Sequence, residues 1–439
     1  MLLLLPPRTP LFSLIPILSN LSLLLPRHLH RSVPRQEEEE EEEEMETPQN
    51  TARGGGGGGG AKKTRHGPCG WLRDRRIRDL IRDKRRLVEV PYTASLAHAV
   101  NALLANHVVA VPVAAPPGHW IGAGGSMILE SDPATGAVRK HYIGMLTMLD
   151  VLVHIAEEKG VEEAKEKEDV DLDARMAVPV SSVIGHSLEG LSLWTLNPQT
   201  SILDCMEAFS KGVHRALVPV ESQADHVIAV ELVEASPGYR MLTQMDVLSF
   251  LRENSHELKD IIPYSVQELG AINENVFAVT KYTKVIEVIK FMRAASLNAV
   301  PVVEAPEDGQ LLLDGKGKKL VETFSATDLR GCPIALLQSW LSFSVTEFKD
   351  MVLERASEDS VGSGYTNPRE KKLVTCFKET SLSVVIEKAV ANHVHRVWVV
   401  DHQGLLLGLI ALTDILRVIR ESALMLDNEL QNMVPQESS

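Results

Sequence analysis

Gly212-Val213-His214-Arg215-Ala216-Leu217-Val218-Pro219-Val220, with Tyr239-Arg240-Met241-Leu242-Thr243-Gln244-Met245-Asp246 after it, decides the fold, because its pattern returns three more times. Upstream stand Asn106-His107-Val108-Val109-Ala110-Val111-Pro112-Val113 and Tyr142-Ile143-Gly144-Met145-Leu146-Thr147-Met148-Leu149-Asp150. Downstream come Leu297-Asn298-Ala299-Val300-Pro301-Val302-Val303 with Val321-Glu322-Thr323-Phe324-Ser325-Ala326-Thr327-Asp328. The last copy is His395-Arg396-Val397-Trp398-Val399-Val400-Asp401 with Leu407-Gly408-Leu409-Ile410-Ala411-Leu412-Thr413-Asp414. Self-similarity of this kind marks a repeat architecture.

Each copy reads as helix, strand, variable loop, strand, then a helix opened by Asp. Leu96, Val100, Leu103 and Leu104 recur at helical spacing ahead of the first strand, and Val285, Ile286, Ile289 and Met292 do so in the third copy. The Val-rich strands are almost continuously apolar, as strands covered on both faces are. The implied fold class is α/β, with four tandem modules.

Composition agrees. The chain has 439 residues, 44% of them hydrophobic and 24% charged, so several packed domains are within reach. Only 5% are aromatic, which leaves little for base-stacking platforms. The formal net charge is -14, and the block Glu37 to Glu44 supplies eight of those charges. A mildly acidic surface disfavours nucleic acid and anionic lipid as partners, though a local basic pocket can still hold an anion. Cys69, Cys205, Cys332 and Cys376 are too far apart for a local zinc pair and read as reduced, mostly buried thiols.

Residues 1–36 are rich in Leu and Arg, but Pro6, Pro7, Pro10, Pro16 and Pro26 interrupt every apolar run before it could span a membrane. They fit either an organelle transit peptide or a disordered extension. The Glu run and Gly54 to Gly60 cannot build a core. The expected layout is an extension over 1–70, a first module at 71–155 and a charged linker at 156–180. The second module is expected at 181–255 and the third at 258–335. A partly helical linker fills 336–367, the fourth module spans 368–422, and a disordered tail covers 423–439.

The four copies resemble the CBS module. As a set they are similar to the gamma regulatory subunits of the AMP-activated and sucrose-nonfermenting-related protein kinases, and to the plant gamma-like members in carrying a long insert, Ala114 to His141, in the first repeat. The resemblance covers about residues 75–422. It implies two pseudo-symmetric module pairs, about 75–255 and 258–422, stacked as a disc. It also implies a non-catalytic regulatory role with kinase alpha and beta subunits as partners, in the cytoplasm or nucleus. A free-standing adenylate sensor and a ligand-free scaffold are the alternatives. No segment outside the repeats is long enough for a catalytic domain.

The same resemblance implies AMP, ADP or ATP as the regulatory ligand. It assigns ribose hydroxyls to the Asp after the last strand and the phosphate region to a Ser or Thr three residues earlier. The matching pairs are Thr147 with Asp150, Thr243 with Asp246, and Ser325 with Asp328; the fourth repeat keeps Asp414 but has Ala411 at the hydroxyl position. Each such Asp is equally well placed to be a helix N-cap. His214-Arg215 and His395-Arg396 stand at matched places in repeats two and four and would face phosphates, for which the Arg fork is suited; a core histidine or an interface ion pair is the plainer reading. Repeat one has Val109 where some members carry Arg, and repeat three has Asn298 and Ala299, so a cleft thinner in basic groups is expected. Ile121 to Ser126 lacks the Lys of a phosphate loop, and His186 has no metal-binding partner at motif spacing.

Overall fold

The computed structural model describes residues 67–115, 142–156, 172–187, 193–220, 238–305, 311–328, 336, 339–360 and 373–433. The leader, most of the first-repeat insert with its Gly-rich stretch, most of the charged linker and Cys332 lie outside the described residues.

Two short helices, α1 (Pro68–Asp74) and α2 (Ile77–Ile81), precede module 1. Module 1 is β1 (Val90–Pro91), α3 (Leu96–Ala105), β2 (Ala110–Ala114), β3 (Tyr142–Thr147) and α4 (Met148–Ala156). After α5 (Leu172–Met176), module 2 repeats the order as β4 (Trp194–Thr195), α6 (Ile202–Ser210), β5 (Arg215–Pro219), β6 (Tyr239–Thr243) and α7 (Gln244–Glu253). Module 3 has β7 (Ala278–Thr280), α8 (Val285–Ala294), β8 (Ala299–Val303), β9 (Leu311–Leu312), β10 (Leu320–Ser325) and α9 (Val345–Ser360). Module 4 closes with β11 (Thr375–Cys376), α10 (Leu382–Ala391), β12 (Arg396–Val400), β13 (Leu406–Ala411) and α11 (Leu412–Met433).

In every module the short first strand pairs parallel to the central one, which pairs antiparallel to the last. A parallel pair needs a crossover, and the amphipathic helix between the two strands supplies it. Each of those helices ends on a residue in the left-handed region: His107 (φ 52), Gly212 (φ 94), Ser296 (φ 54) and His393 (φ 50). Glycine takes this conformation without steric cost, whereas the three side-chain-bearing residues are held there by the turn into the strand.

The segments between modules are structural parts. Ile77 N–H donates to the Thr200 carbonyl, Leu96 to Val178, Val266 to Thr380 and Val345 to Thr283. Thus the segment before module 1 completes module 2, and the segment after module 1 completes module 1. Modules 4 and 3 are finished in the same way by residues near 266 and 345. Several expected boundaries are corrected. Pro68 and Cys69 are buried helix, not extension. Met176 and Val180 are core, not linker, and so are Trp340, Leu341, Val345 and Phe348, while Val183 belongs to the core of modules 1 and 3 and not to module 2. The tail expected from 423 is helical to Met433, because Ala423 is buried and Asp427 pairs with Arg73 at 3.2 Å.

The four modules form a ring with two kinds of join. Sheets meet between modules 1 and 2, where Tyr142 contacts Tyr239 edge-on, and between modules 3 and 4 around Val303, Trp398 and Leu406. Helices meet across those pairs. One core merges modules 1 and 3, with Phe324 and Phe348 fully buried; the other merges modules 2 and 4, with Phe209 fully buried. Each fully buried large apolar side chain is worth about 1.5–3 kcal/mol, so the main stabilisation runs between the pairs as well as within them.

Candidate functional site

The ring encloses a cleft of about 1210 Å³ to which all four modules contribute. Its walls begin at the same point of each repeat, where the central strand starts. Arg215 pairs across the sheet with Thr243, Arg396 with Ala411, Ala299 with Ser325 and Ala110 with Thr147. This register matches Ala110 of module 1 to Arg215, and so Val109 to His214.

His214, Arg215, His395 and Arg396 all line the cleft. Burial, and then the Arg396 charge, hold the His214 imidazole down to about 4, so the modules 2 and 4 pairs converge on one space and His214 is neutral at pH 7. Burial lowers both Arg215 and Arg396 to about 10, which leaves each protonated; in Arg396 the Asp414 carboxylate offsets part of that fall.

Four more cations face the cavity and were missed by reading repeats alone. Lys84, Arg85 and Arg86 come from the strap between α2 and β1, and Lys349 comes from α9. None belongs to the recurring unit, so no repeat signal could have found them; the local run Lys84-Arg85-Arg86 was the available hint. The cleft is therefore not thin in basic groups. Among its described lining residues, six are Lys or Arg and one, Asp328, is a carboxylate.

The hydroxyl positions behave as expected in place but serve local structure. Thr147, Thr243 and Ser325 line the cleft, whereas Asp150, Asp246 and Asp414 do not. Asp150 is fully buried and accepts hydrogen bonds from Thr147 N and Oγ1 at 2.8 and 2.6 Å and from Ser187 N at 2.6 Å. Burial raises its carboxyl despite those bonds. Asp246 closes a reciprocal capping box with Thr243 at the start of α7 and also accepts from Lys84 Nζ. Asp328 accepts from Ser325 N at 2.8 Å and lies 3.7 Å from Lys349 Nζ, which also bonds Glu322 at 2.7 Å and the Thr323 carbonyl. Asp414 accepts from Ala411 N at 2.9 Å, and burial raises its carboxyl.

In module 3, Lys349 of α9 lies over β10, where its ammonium bonds Glu322 and the Thr323 carbonyl. Cys69, Cys205 and Cys376 are free and buried. His186 stacks near His154, 5.9 Å between ring centroids, and the described residues hold no cluster of three or more metal-ligating side chains.

The CBS domain family matches residues 266–330 and 369–421, which are modules 3 and 4. The SNF1-related protein kinase regulatory subunit gamma-like PV42a of Arabidopsis thaliana is 52% identical over 353 residues, spanning 79% of this chain and 94% of that protein. PV42b of the same plant is 49% identical over 352 residues, spanning 80% of this chain and 95% of that protein. Among solved structures, protein MJ1225 of Methanocaldococcus jannaschii superposes with a TM-score of 0.51 at 18% identity, covering 78% of this chain and 99% of that one. At that identity the likeness speaks for the fold.

Proposed function

The chain belongs to the gamma-like regulatory subunits of SNF1-related protein kinases, and from that premise we propose that it binds a phosphate-bearing adenosine nucleotide in the central cleft and reports it to kinase alpha and beta subunits. The role is regulatory, not catalytic. The observation that carries the ligand half is the cleft's charge: six cations against one carboxylate, in a protein whose net charge is -14. Cations gathered against the overall sign of a protein, in a concave site of low dielectric, suit phosphate groups. Arg215 and Arg396 supply planar donor forks, and neutral His214 supplies a ring nitrogen beside them.

The ring supports the partner half. Its helical joins merge modules 1 with 3 and 2 with 4, so a ligand that draws the cleft walls together acts on all four modules. The complex is proposed for the cytoplasm or nucleus. Co-purification of the full chain with kinase alpha and beta subunits, with and without ATP or AMP, tests the assignment. Recovery of both subunits is expected. A chain that migrates alone under every condition returns the reading to a free-standing sensor.

A further inference from the structure

We propose that Gln244, a buried side chain at the seam of modules 2 and 4, is a positioning residue: its bond to Thr413 fixes the His214-Arg215 and His395-Arg396 walls against each other. The seam belongs to the protein without ligand and is tested without ligand, so it stands or falls apart from the nucleotide reading above.

Gln244 opens α7 and is 4% exposed. An amide in an apolar core is unfavourable unless its donors are matched, so its partners show what it holds together. Gln244 Nε2 donates to the Phe209 and Val213 carbonyls of its own module, at 3.0 and 3.1 Å. It also donates to Thr413 Oγ1 of module 4, at 2.9 Å. One amide group thus serves both modules at once.

Each end of this bond is tied to a cleft wall through main chain. Gln244 N–H donates to the His214 carbonyl at 3.2 Å, and Leu412 N–H, next to Thr413, donates to the His395 carbonyl at 3.1 Å. A continuous path therefore runs from His214 through Gln244 and Thr413 to His395. Neither Gln244 nor Thr413 lines the cleft, so their bond shapes the wall from behind. Elsewhere on the seam, Arg420 of α11 bonds Glu207 of α6 at 2.6 Å with both side chains partly exposed. Water screens such a pair and lets it shift, which leaves the buried amide as the tie of defined geometry.

The other seam is built differently. Met148 follows Thr147 as Gln244 follows Thr243, and it stands in the core of modules 1 and 3. A thioether has no N–H to give. The amide tie is found where the two modules that carry His-Arg pairs meet.

The test compares the ligand-free full chain with Gln244→Met, Thr413→Val, their combination, and Thr413→Ser. The reading is the titration of His214, followed by NMR of labelled histidine and assigned by its loss in His214→Gln. Burial and then the Arg396 charge hold this imidazole at about 4 in the wild type. Without the tie the walls separate and water enters, so Gln244→Met and Thr413→Val each raise it to about 5 or above. The double variant goes no further than the single ones, because all three remove one bond. Thr413→Ser keeps the hydroxyl and stays at the wild-type value. An imidazole unmoved in Gln244→Met and Thr413→Val, whatever the loss of stability, overturns the proposal and makes the amide a local brace of module 2. So does a shift in Thr413→Ser as large as in Thr413→Val, or a double variant in which the two shifts add. If Gln244→Met fails to fold, the Val and Ser variants at Thr413, which leave the Phe209 and Val213 bonds in place, decide alone.

Discussion

Modules 2 and 4 bring their own charge to the cleft, whereas modules 1 and 3 borrow theirs. On one side His214-Arg215 and His395-Arg396 sit at the start of the central strand, inside the repeat. On the other side the matched positions hold Val109-Ala110 and Asn298-Ala299, and the cations arrive from Lys84, Arg85 and Arg86 on the strap and Lys349 on α9. The same scaffold thus reaches one electrostatic result by two routes. Charge carried in the repeat is fixed by strand register. Charge borrowed from connecting segments depends on how those segments dock, and it is therefore the more adjustable half.

The strongest way to strain this comparison is through the two cores. Phe209→Ala in the modules 2 and 4 core and Phe348→Ala in the modules 1 and 3 core should each cost about 3–5 kcal/mol, read from urea unfolding curves. Because the sheet joins of modules 1 with 2 and of modules 3 with 4 tie the two cores together, both variants should still unfold in one transition. Two separated transitions would mean that the halves are independent and the ring is only a loose assembly.

A smaller effect distinguishes the built-in side. His214 is held to about 4, while an unfolded histidine titrates near 6.5. Above pH 6.5 both states are neutral and nothing is lost. As pH falls from 6.5 toward 4 the unfolded chain takes the proton first, so stability declines by about 1–3 kcal/mol in that window. His214→Gln should remove that part of the slope in denaturation midpoints measured from pH 7 to 4. A slope identical to wild type would show that His214 is not buried neutral beside Arg396.

The smallest effect lies at the sheet join of modules 3 and 4. Trp398 Nε1 donates to Thr323 Oγ1 at 2.6 Å, and Thr323→Val leaves that indole without its acceptor. A loss of about 1–2 kcal/mol is expected from thermal unfolding. A neutral result would mean that the join is held by apolar contact among Val303, Trp398 and Leu406 alone.

Much of the fold was legible because it repeats. Four copies of one pattern, with apolar strands and helices of 3.6 periodicity, gave the modules even where the CBS family match covers only the last two. The convergence of the two His-Arg pairs was legible too, since a repeat copies position along with sequence. What was not legible depends on docking across sequence distance. Met176, Val180 and Phe348 look like ordinary linker residues until the strand edge they complete is known. Lys349 looks like a surface lysine of a solvated helix until the docking of α9 brings it over β10. The junction Asp residues show the reverse case. Their N-capping role and their ribose-reading role share one sequence signature, and three of the four are off the cleft wall.

The central claim is that Arg215 and Arg396 of modules 2 and 4 hold the phosphates of a ligand in the shared cleft. Its most direct measurement is a matched calorimetric titration of ATP and adenosine into the wild type and the Arg215→Ala/Arg396→Ala double variant, with the ligand-free melting temperature recorded for both. At nearly equal melting temperature, ATP affinity should fall by about a hundredfold or more in the variant, while any adenosine binding, which lacks phosphate, changes little. An ATP affinity equal in the two proteins, or an equal loss for ATP and adenosine, would contradict the account.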